Sequence, residues 1–381
     1  MGSDSDRPIS AGAPEPESTP REHLASWLSA NQRRLASQIM SDHFDRAPEF
    51  VARYGERGRA KCTEDVGYHL EYLRAAVATS SPTLFLNYVA WIKVLLAGFG
   101  IPESHLAQSL DLTRAALEAE LDPSWRDLAI PLLDEAALAL PSFPCEPSSP
   151  LCDANPHAEL ASRYLEALLA GDRNTAGQMI LDAAERGLPV ADIYLYVVNP
   201  TQREIGRLWQ TNRISVAKEH YCTAATQQII ARLHPWISAS ERVGLRVIAS
   251  SVGSELHELG ARMVADFFEM AGWDVYYLGA STPLPGLISA MIERRADLVA
   301  LSATMTRNVP IVADFVREIR ACPETAAILI LVGGYPFNVA PDLWRYVGAD
   351  GTTSSPDAAV HLARLLVEER KAAGSAPTRR A

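Results

Sequence analysis

The sequence has no apolar run near the roughly 18 residues that a membrane-spanning helix needs. It has no excess of positive charge either: 35 Lys and Arg against 46 Asp and Glu leave a net charge of -11, which weighs against a nucleic-acid surface. Its five cysteines, Cys62, Cys145, Cys152, Cys222 and Cys322, are odd in number and scattered, so neither a disulfide framework nor a zinc knuckle is expected. The opening "MGSDSDRPISAGAPEPESTPRE" shows neither a basic nor an apolar leader pattern. A cytoplasmic protein is expected, with no direct nucleic-acid or membrane partner. What the chain does have is 381 residues and a hydrophobic fraction of 48%. That is enough for two or three cored domains at roughly 100 to 200 residues each.

Residues 1–20, dense in Pro, Ser and acidic groups, cannot bury enough apolar surface to order and read as a disordered tail. Over residues 21–140, segments such as "HLASWLSANQRRLASQIMSDHF" and "PTLFLNYVAWIKVLLAGFG" repeat apolar residues at three and four. "SPT", "IPES" and "DPS" supply the breaks between helices. Residues 141–156, "PSFPCEPSSPLCDANP", read as a linker. Residues 157–238 continue as a helical bundle. From residue 243 to 371 the period changes: "LRVIAS", "DVYYLG", "DLVALSA" and "AILILVGG" are four strand-like runs that alternate with helices. Residues 372–381 form a second tail. The expected fold class is multidomain α plus α/β: an all-helical N-terminal domain, a helical bundle, and a C-terminal doubly wound parallel sheet of Rossmann or flavodoxin type.

Ligands of such sheets lie beyond the carboxyl ends of the strands. There "SELHELG" brings Glu255, His257 and Gly260; "LSATM" brings Ser302 and Thr304; "VGGYPFN" brings Gly333 and Gly334. A histidine can give one nitrogen to a metal and its other N–H to a carboxylate, and Glu255 is near enough in sequence to orient it. No second His or Cys stands in ligand spacing to His257. The site therefore suits a metal already held by a macrocycle, while small hydroxyls and glycines admit a long polar tail.

These three segments, in this order, resemble the cobalamin-binding domain shared by methionine synthase, the mutases and the corrinoid photoreceptors. In that family an Asp-x-His-x-x-Gly loop gives the lower cobalt ligand, and the displaced tail threads past the serine segment and the Gly-Gly turn. The resemblance implies cobalt of cobalamin on His257. The departure is Glu255 in place of Asp. The plainer alternative is a flavodoxin-like domain with a surface histidine.

In the bundle, "WQTNRISVAKEH" spaces Trp209, Glu219 and His220. Taken alone, these are an ordinary core residue and two surface residues. Beside a cobalamin domain, Trp-x9-Glu-His resembles the capping motif of light-sensing, adenosylcobalamin-dependent regulators, whose Trp and Glu pack on the adenosyl group. Some of those regulators carry a His after the Trp; here Gln210 stands there, so no bis-histidine light product forms through that position. The basic winged helix of those regulators is not in this chain.

Where that winged helix would stand, "RAKCTEDVGYHLEYLRAAVA" sets Cys62, Asp65 and His69 on one helical face. A thiol there could add to a vinyl group, and a carboxylate could accept hydrogen bonds from pyrrole N–H groups. The stretch resembles the phycobiliprotein segment Lys-Cys-x-Arg-Asp-x-x-Tyr-Tyr-Leu-Arg, with Glu64 replacing its Arg and Arg57, Arg59 or Lys61 left to meet a propionate. A globin-like domain with an inert Cys62, or one holding haem on His69 or His105, are the alternatives. The whole combination resembles the photocobilins, which pair a bilin with cobalamin. It implies a photoreceptor, not an enzyme in itself, binding adenosylcobalamin and biliverdin or a related bilin. It also implies a homo-oligomer, expected as a dimer, and, because "KAAGSAPTRRA" forms no output domain, a signal passed either to a partner or to an output domain of a longer chain. The competing expectations are a corrinoid methyl carrier for a methyltransferase and a non-photochemical cobalamin or haem sensor.

Overall fold

The helices begin where the sequence places proline or a short polar residue. The computed structural model describes residues 19–46, 48–152, 154–237 and 241–374; most of both expected tails lies outside them. The first unit comprises α1 (Pro20–Arg46), α2 (Pro48–Thr79), α3 (Pro82–Gly98), α4 (Glu103–Glu120) and α5 (Pro123–Ala139). Pro82 and Pro123 occupy the first turns of α3 and α5, where a missing N–H leaves no helical bond unmade. Gly55, at φ 63°, interrupts α2, a left-handed position that glycine alone takes without strain.

The second unit runs through α6 (Ala158–Leu169), α7 (Arg173–Glu185) and the single turn α8 (Val190–Asp192). A π-helical turn, Ile193–Val198, carries the chain on into α9 (Asn199–Gln210), followed by α10 (Val216–Ala231) and α11 (His234–Ile237). Asp172 accepts from Thr175 N at 3.0 Å to cap α7, and Ser215 Oγ accepts from Lys218 N at 3.3 Å to cap α10. The proline-rich stretch before this unit is strapped to it. Ser149 Oγ donates to Glu204 at 2.9 Å, Arg207 and Arg213 both donate to Glu146, and Asn155 Nδ2 donates to Tyr196 O at 2.6 Å. Composition alone suggests a linker; the charged side chains of Glu204, Arg207 and Arg213 hold it down.

The third unit follows as β1 (Arg246–Ser251), α12 (Leu259–Met270), β2 (Asp274–Tyr277), α13 (Leu284–Arg294) and β3 (Leu298–Ser302). A 3-10 turn, Thr306–Asn308, leads into α14 (Val309–Ala321), then β4 (Leu329–Gly333), α15 (Tyr335–Val339), α16 (Leu343–Tyr346), β5 (Gly351–Thr352) and α17 (Pro356–Gly374). All strand pairs are parallel, in the order β2-β1-β3-β4-β5. This is the flavodoxin-like doubly wound arrangement, with its crevice where β1 and β3 part company. The fifth strand was not legible, since two residues at a sheet edge carry no periodicity.

Successive strand residues point to opposite faces, and the sheet accordingly divides two apolar clusters. Val247, Leu298 and Leu331 join Phe268 and Trp273 and the bundle residues Ile193, Val197 and Ile205. Ile248, Val299 and Ile330 join Val312 and Val316, in a cluster continuous with Leu73, Val77, Phe85 and Val89 of the first unit. Each fully buried large side chain contributes on the order of 1.5–3 kcal/mol. Helix α2 packs on α14 and on the 306–308 turn, and α3 packs on α15 and α9. The first unit is therefore seated against both of the others. Among the described residues no helix is long and apolar enough to cross a membrane.

Candidate functional site

The chain leaves β1 at Ser251 and crosses the carboxyl end of the sheet before α12 begins. In that crossing Glu255 is only 1% exposed. Its Oε1 accepts from His257 N at 3.0 Å and meets His257 Nδ1 at 2.5 Å. Its Oε2 accepts from Thr304 N at 2.8 Å, Met305 N at 2.9 Å and Asn308 Nδ2 at 3.0 Å. Burial by itself would raise the pKa of this carboxyl, but the bonds from the His257 side chain and the three backbone amides outweigh it and hold it at about 2. The bond to Glu255 in turn raises the pKa of His257 against its partial burial, and the Glu219 carboxylate adds to the effect.

With Nδ1–H given to Glu255, the free lone pair of a neutral His257 is at Nε2, and the side chain is 61% exposed. The extra methylene of Glu255 relative to Asp does not prevent contact with the imidazole. Among the described residues no three His, Cys, Asp or Glu side chains gather as a metal cluster. An ion held on His257 would need its other positions filled by its own macrocycle.

At the same edge of the sheet lies a pocket of about 200 Å³, lined in part by Gly260, Ser302, Thr304, Gly333 and Gly334, and from the bundle by Tyr194 and Asn199. Side chains built on Gly260 or Gly333 would meet nothing within 4 Å, so these glycines leave room inside the slot. Gly334 differs: its φ is 106°, and a Cβ there would lie 2.0 Å from Ala303 O. One glycine of the pair opens space, and the other permits the turn. Glycines at the same sheet edge as an exposed imidazole whose Nδ1 is engaged and whose Nε2 is free would suit a cobalamin held on His257. Tyr194, Asn199 and the 353–355 loop, which also lines the slot, were missed by the sequence reading because no motif marks them.

The bundle reaches over the same loop. Gln227 Nε2 on α10 donates to Glu258 Oε1 at 2.8 Å. Glu219, in the first turn of α10, accepts from Thr223 Oγ1 at 3.0 Å and contacts His220 Nδ1 at 2.5 Å, while His220 itself points into solvent. Trp209, at the end of α9, stands against Trp91 of α3 with ring centroids 6.1 Å apart. Gln210 is buried and donates to Trp91 O at 2.9 Å. Glu219 and His257 thus share one electrostatic neighbourhood, whereas Trp209 also meets the first unit, a contact that nothing in its own motif discloses.

In the first unit, Cys62, Asp65 and His69 face a common cavity of about 60 Å³, together with His43, His105 and Ser109. Burial first, and then Asp65, pushes the Cys62 thiol up to about 11. Burial also raises the Asp65 carboxyl, with Glu64 adding to it against the pull of Lys61. Desolvation drops His69 to about 4, and its Nδ1 shares a hydrogen bond with Tyr88 Oη at 2.7 Å. Lys61 pairs with Glu64 at 2.8 Å and Asp65 at 3.7 Å, and Arg59 lies over the Phe44 ring; the Arg57 side chain is outside the described residues. The donor set suits a linear tetrapyrrole, but the space between the helices is a fraction of such a molecule. The cavity is lined by residues of α1, α2, α3 and α4.

Comparison with known proteins finds three separate likenesses along the chain. A B12 binding domain model matches residues 245–361, a second B12 binding domain model matches residues 160–234, and a phycobilisome protein model matches residues 16–140. Dimethylamine corrinoid protein 1 of Methanosarcina acetivorans is 25% identical over 170 residues, 43% of this chain and 77% of that protein. The HTH-type transcriptional repressor CarA of Myxococcus xanthus is 30% identical over 183 residues, 47% of this chain and 59% of the repressor. The structure of the Methanosarcina barkeri monomethylamine corrinoid protein superposes with a TM-score of 0.50 at 17% identity, covering 55% of this chain and 99% of that one. The chain therefore carries two stretches that match B12 binding domains and one that matches a phycobilisome protein, and over 55% of its length its fold is like that of a corrinoid protein.

Proposed function

We propose that this protein is a photoreceptor of the photocobilin type, holding adenosylcobalamin between the 157–238 bundle and the 243–371 domain, and a bilin such as biliverdin within residues 21–140. The observation that supports the reading is His257, fixed at Nδ1 by a buried carboxylate and open at Nε2, on the loop that leads into Gly260 of a glycine-lined slot. His257 would be the lower cobalt ligand. Gly260, Ser302, Thr304, Gly333 and Gly334 would line the tail, with Trp209, Glu219 and His220 toward the upper face. Bound adenosylcobalamin supplies a cobalt–carbon bond that visible light cleaves. Trp209 leans on Trp91, so removal of its partner at the upper face would let α9 shift against α3. A homodimer or larger oligomer would then rearrange and signal to a partner. In the first unit Asp65 would accept pyrrole hydrogen bonds, and Cys62 and His69 would flank the same ring.

A corrinoid methyl carrier is the second reading, favoured by the similarity to named corrinoid proteins. Protein purified in darkness with adenosylcobalamin and biliverdin separates the two. A corrin spectrum changed irreversibly by green light, with a red band retained by the protein, is expected of the photoreceptor. A light-stable corrin spectrum with no red band would overturn it. Replacing Trp209 with Ala should cost the photoreceptor about tenfold or more in adenosylcobalamin affinity relative to methylcobalamin, since the indole's packing on the adenosyl group would be lost; a methyl carrier would keep that ratio.

A further inference from the structure

Helix α2 has two working faces. Cys62, Asp65 and His69 line the cavity of the first unit. Tyr68 and Glu71 point instead toward the α/β unit, where they hold Arg307: Glu71 Oε2 accepts from Arg307 Nη1 at 3.3 Å, and the guanidinium lies 5.7 Å from the Tyr68 ring centroid. Glu71 is itself steadied by α1, since Gln32 Nε2 donates to its other oxygen at 3.1 Å and to Gly67 O at 2.9 Å. Arg307 sits in the five-residue stretch whose amides at Thr304 and Met305 and whose Asn308 side chain all end on Glu255 Oε2. Glu255 Oε1 ends on His257 Nδ1. Each step from α2 to the imidazole is a direct contact or a single backbone step.

We propose that Glu71, acting through Arg307, is a positioning residue for His257, so that the helix bearing the first cavity sets how well the axial histidine is presented. The inference rests on the functional reading above, because it concerns the ligand that would meet cobalt. A shift of α2, which lines the first cavity, would pull on Arg307 and move the donors of Glu255 with it. Packed elements of this kind pass displacement between sites because they have few ways to deform. The Glu71–Arg307 pair is partly exposed, so its loss should act modestly. It should act less than the roughly 10- to 100-fold that follows removal of the carboxylate directly on a metal-bound histidine.

The test uses the full chain, titrated in darkness with adenosylcobalamin. Two readouts are taken: the dissociation constant, and the absorption spectrum that separates histidine-ligated from lower-ligand-free corrin. Glu71→Gln should weaken binding about fivefold and enlarge the ligand-free share. Arg307→Gln should do the same, and the double variant should be no worse than either single one, as expected for residues acting as one pair. Glu71→Asp and Arg307→Lys, which keep the charges, should restore most of the histidine-ligated spectrum, an outcome that simple loss of packing would not give. Wild-type affinity and spectrum in both Glu71→Gln and Arg307→Gln would overturn the inference while leaving the functional reading intact. If instead the wild-type spectrum were unchanged by His257→Ala, or no cobalamin bound at all, the functional reading would fall and the inference with it.

Discussion

Replacing Glu255 with Gln changes one oxygen to an NH2 and removes one charge, yet five donors converge on that carboxylate. Three of them meet Oε2 and two meet Oε1, so the amide must point its own N–H groups at donors whichever way it turns. The less costly choice keeps the oxygen toward Thr304, Met305 and Asn308 and turns the NH2 toward His257. The imidazole can answer by releasing the Nδ1 proton and carrying it on Nε2, the nitrogen needed by a metal. The His257 amide cannot answer and loses its acceptor, at about 1–3 kcal/mol. With the charge-assisted bonds weakened as well, the total loss of stability is about 3 kcal/mol, and cobalamin affinity falls roughly 10- to 100-fold. Urea unfolding of the cobalamin-free chain reads the first quantity, and dark titration with adenosylcobalamin reads the second. An Nε2-protonated tautomer in nitrogen-15 spectra would confirm the route. A variant with wild-type unfolding midpoint and wild-type histidine-ligated spectrum would refute the claim that Glu255 holds and orients His257.

The glycine pair should separate fold from binding. Gly333→Val should keep the melting temperature and weaken cobalamin at least tenfold by filling the slot, whereas Gly334→Ala should unfold first, since its Cβ meets Ala303 O at 2.0 Å. The folded-state pKa of His69, about 4, lies below its usual value of 6.5. Between these values the unfolded chain binds more protons, so stability is full above pH 6.5 and declines as pH falls to 4, by about 3 kcal/mol. Urea midpoints at pH 7 and pH 4.5 should show this decline in the wild type and a smaller one in His69→Leu. Cys62, raised to about 11, should be alkylated by iodoacetamide at pH 8 roughly a hundredfold more slowly than the exposed Cys145 and Cys152; equal rates would show that its burial is not maintained.

Much of this protein is local and therefore written along the chain. Helices announce themselves through three-and-four repeats ended by "SPT", "IPES" and "DPS", and buried strands through runs such as "LVALS" and "LILVG". The histidine loop and the glycine pair are also local, because a strand end followed at once by a turn is a sequence event. Glu255 could be suspected as the partner of His257 from a spacing of two residues.

Tertiary structure alone decided what comes from elsewhere in the chain. Thr304, Met305 and Asn308 complete the shell of Glu255 from the turn that follows β3; Tyr194 and Asn199 reach the slot from the bundle; Trp91 meets Trp209, and Glu71 meets Arg307, across a separation of more than a hundred residues. No periodicity records such pairs, because each partner satisfies only the ordinary rules of its own helix or turn. The sequence by itself determined the helices, four of the five strands and the loops on which the candidate side chains stand. The packing of the first unit against the other two decided which of them are joined, because contacts between distant segments arise only when apolar faces are buried together.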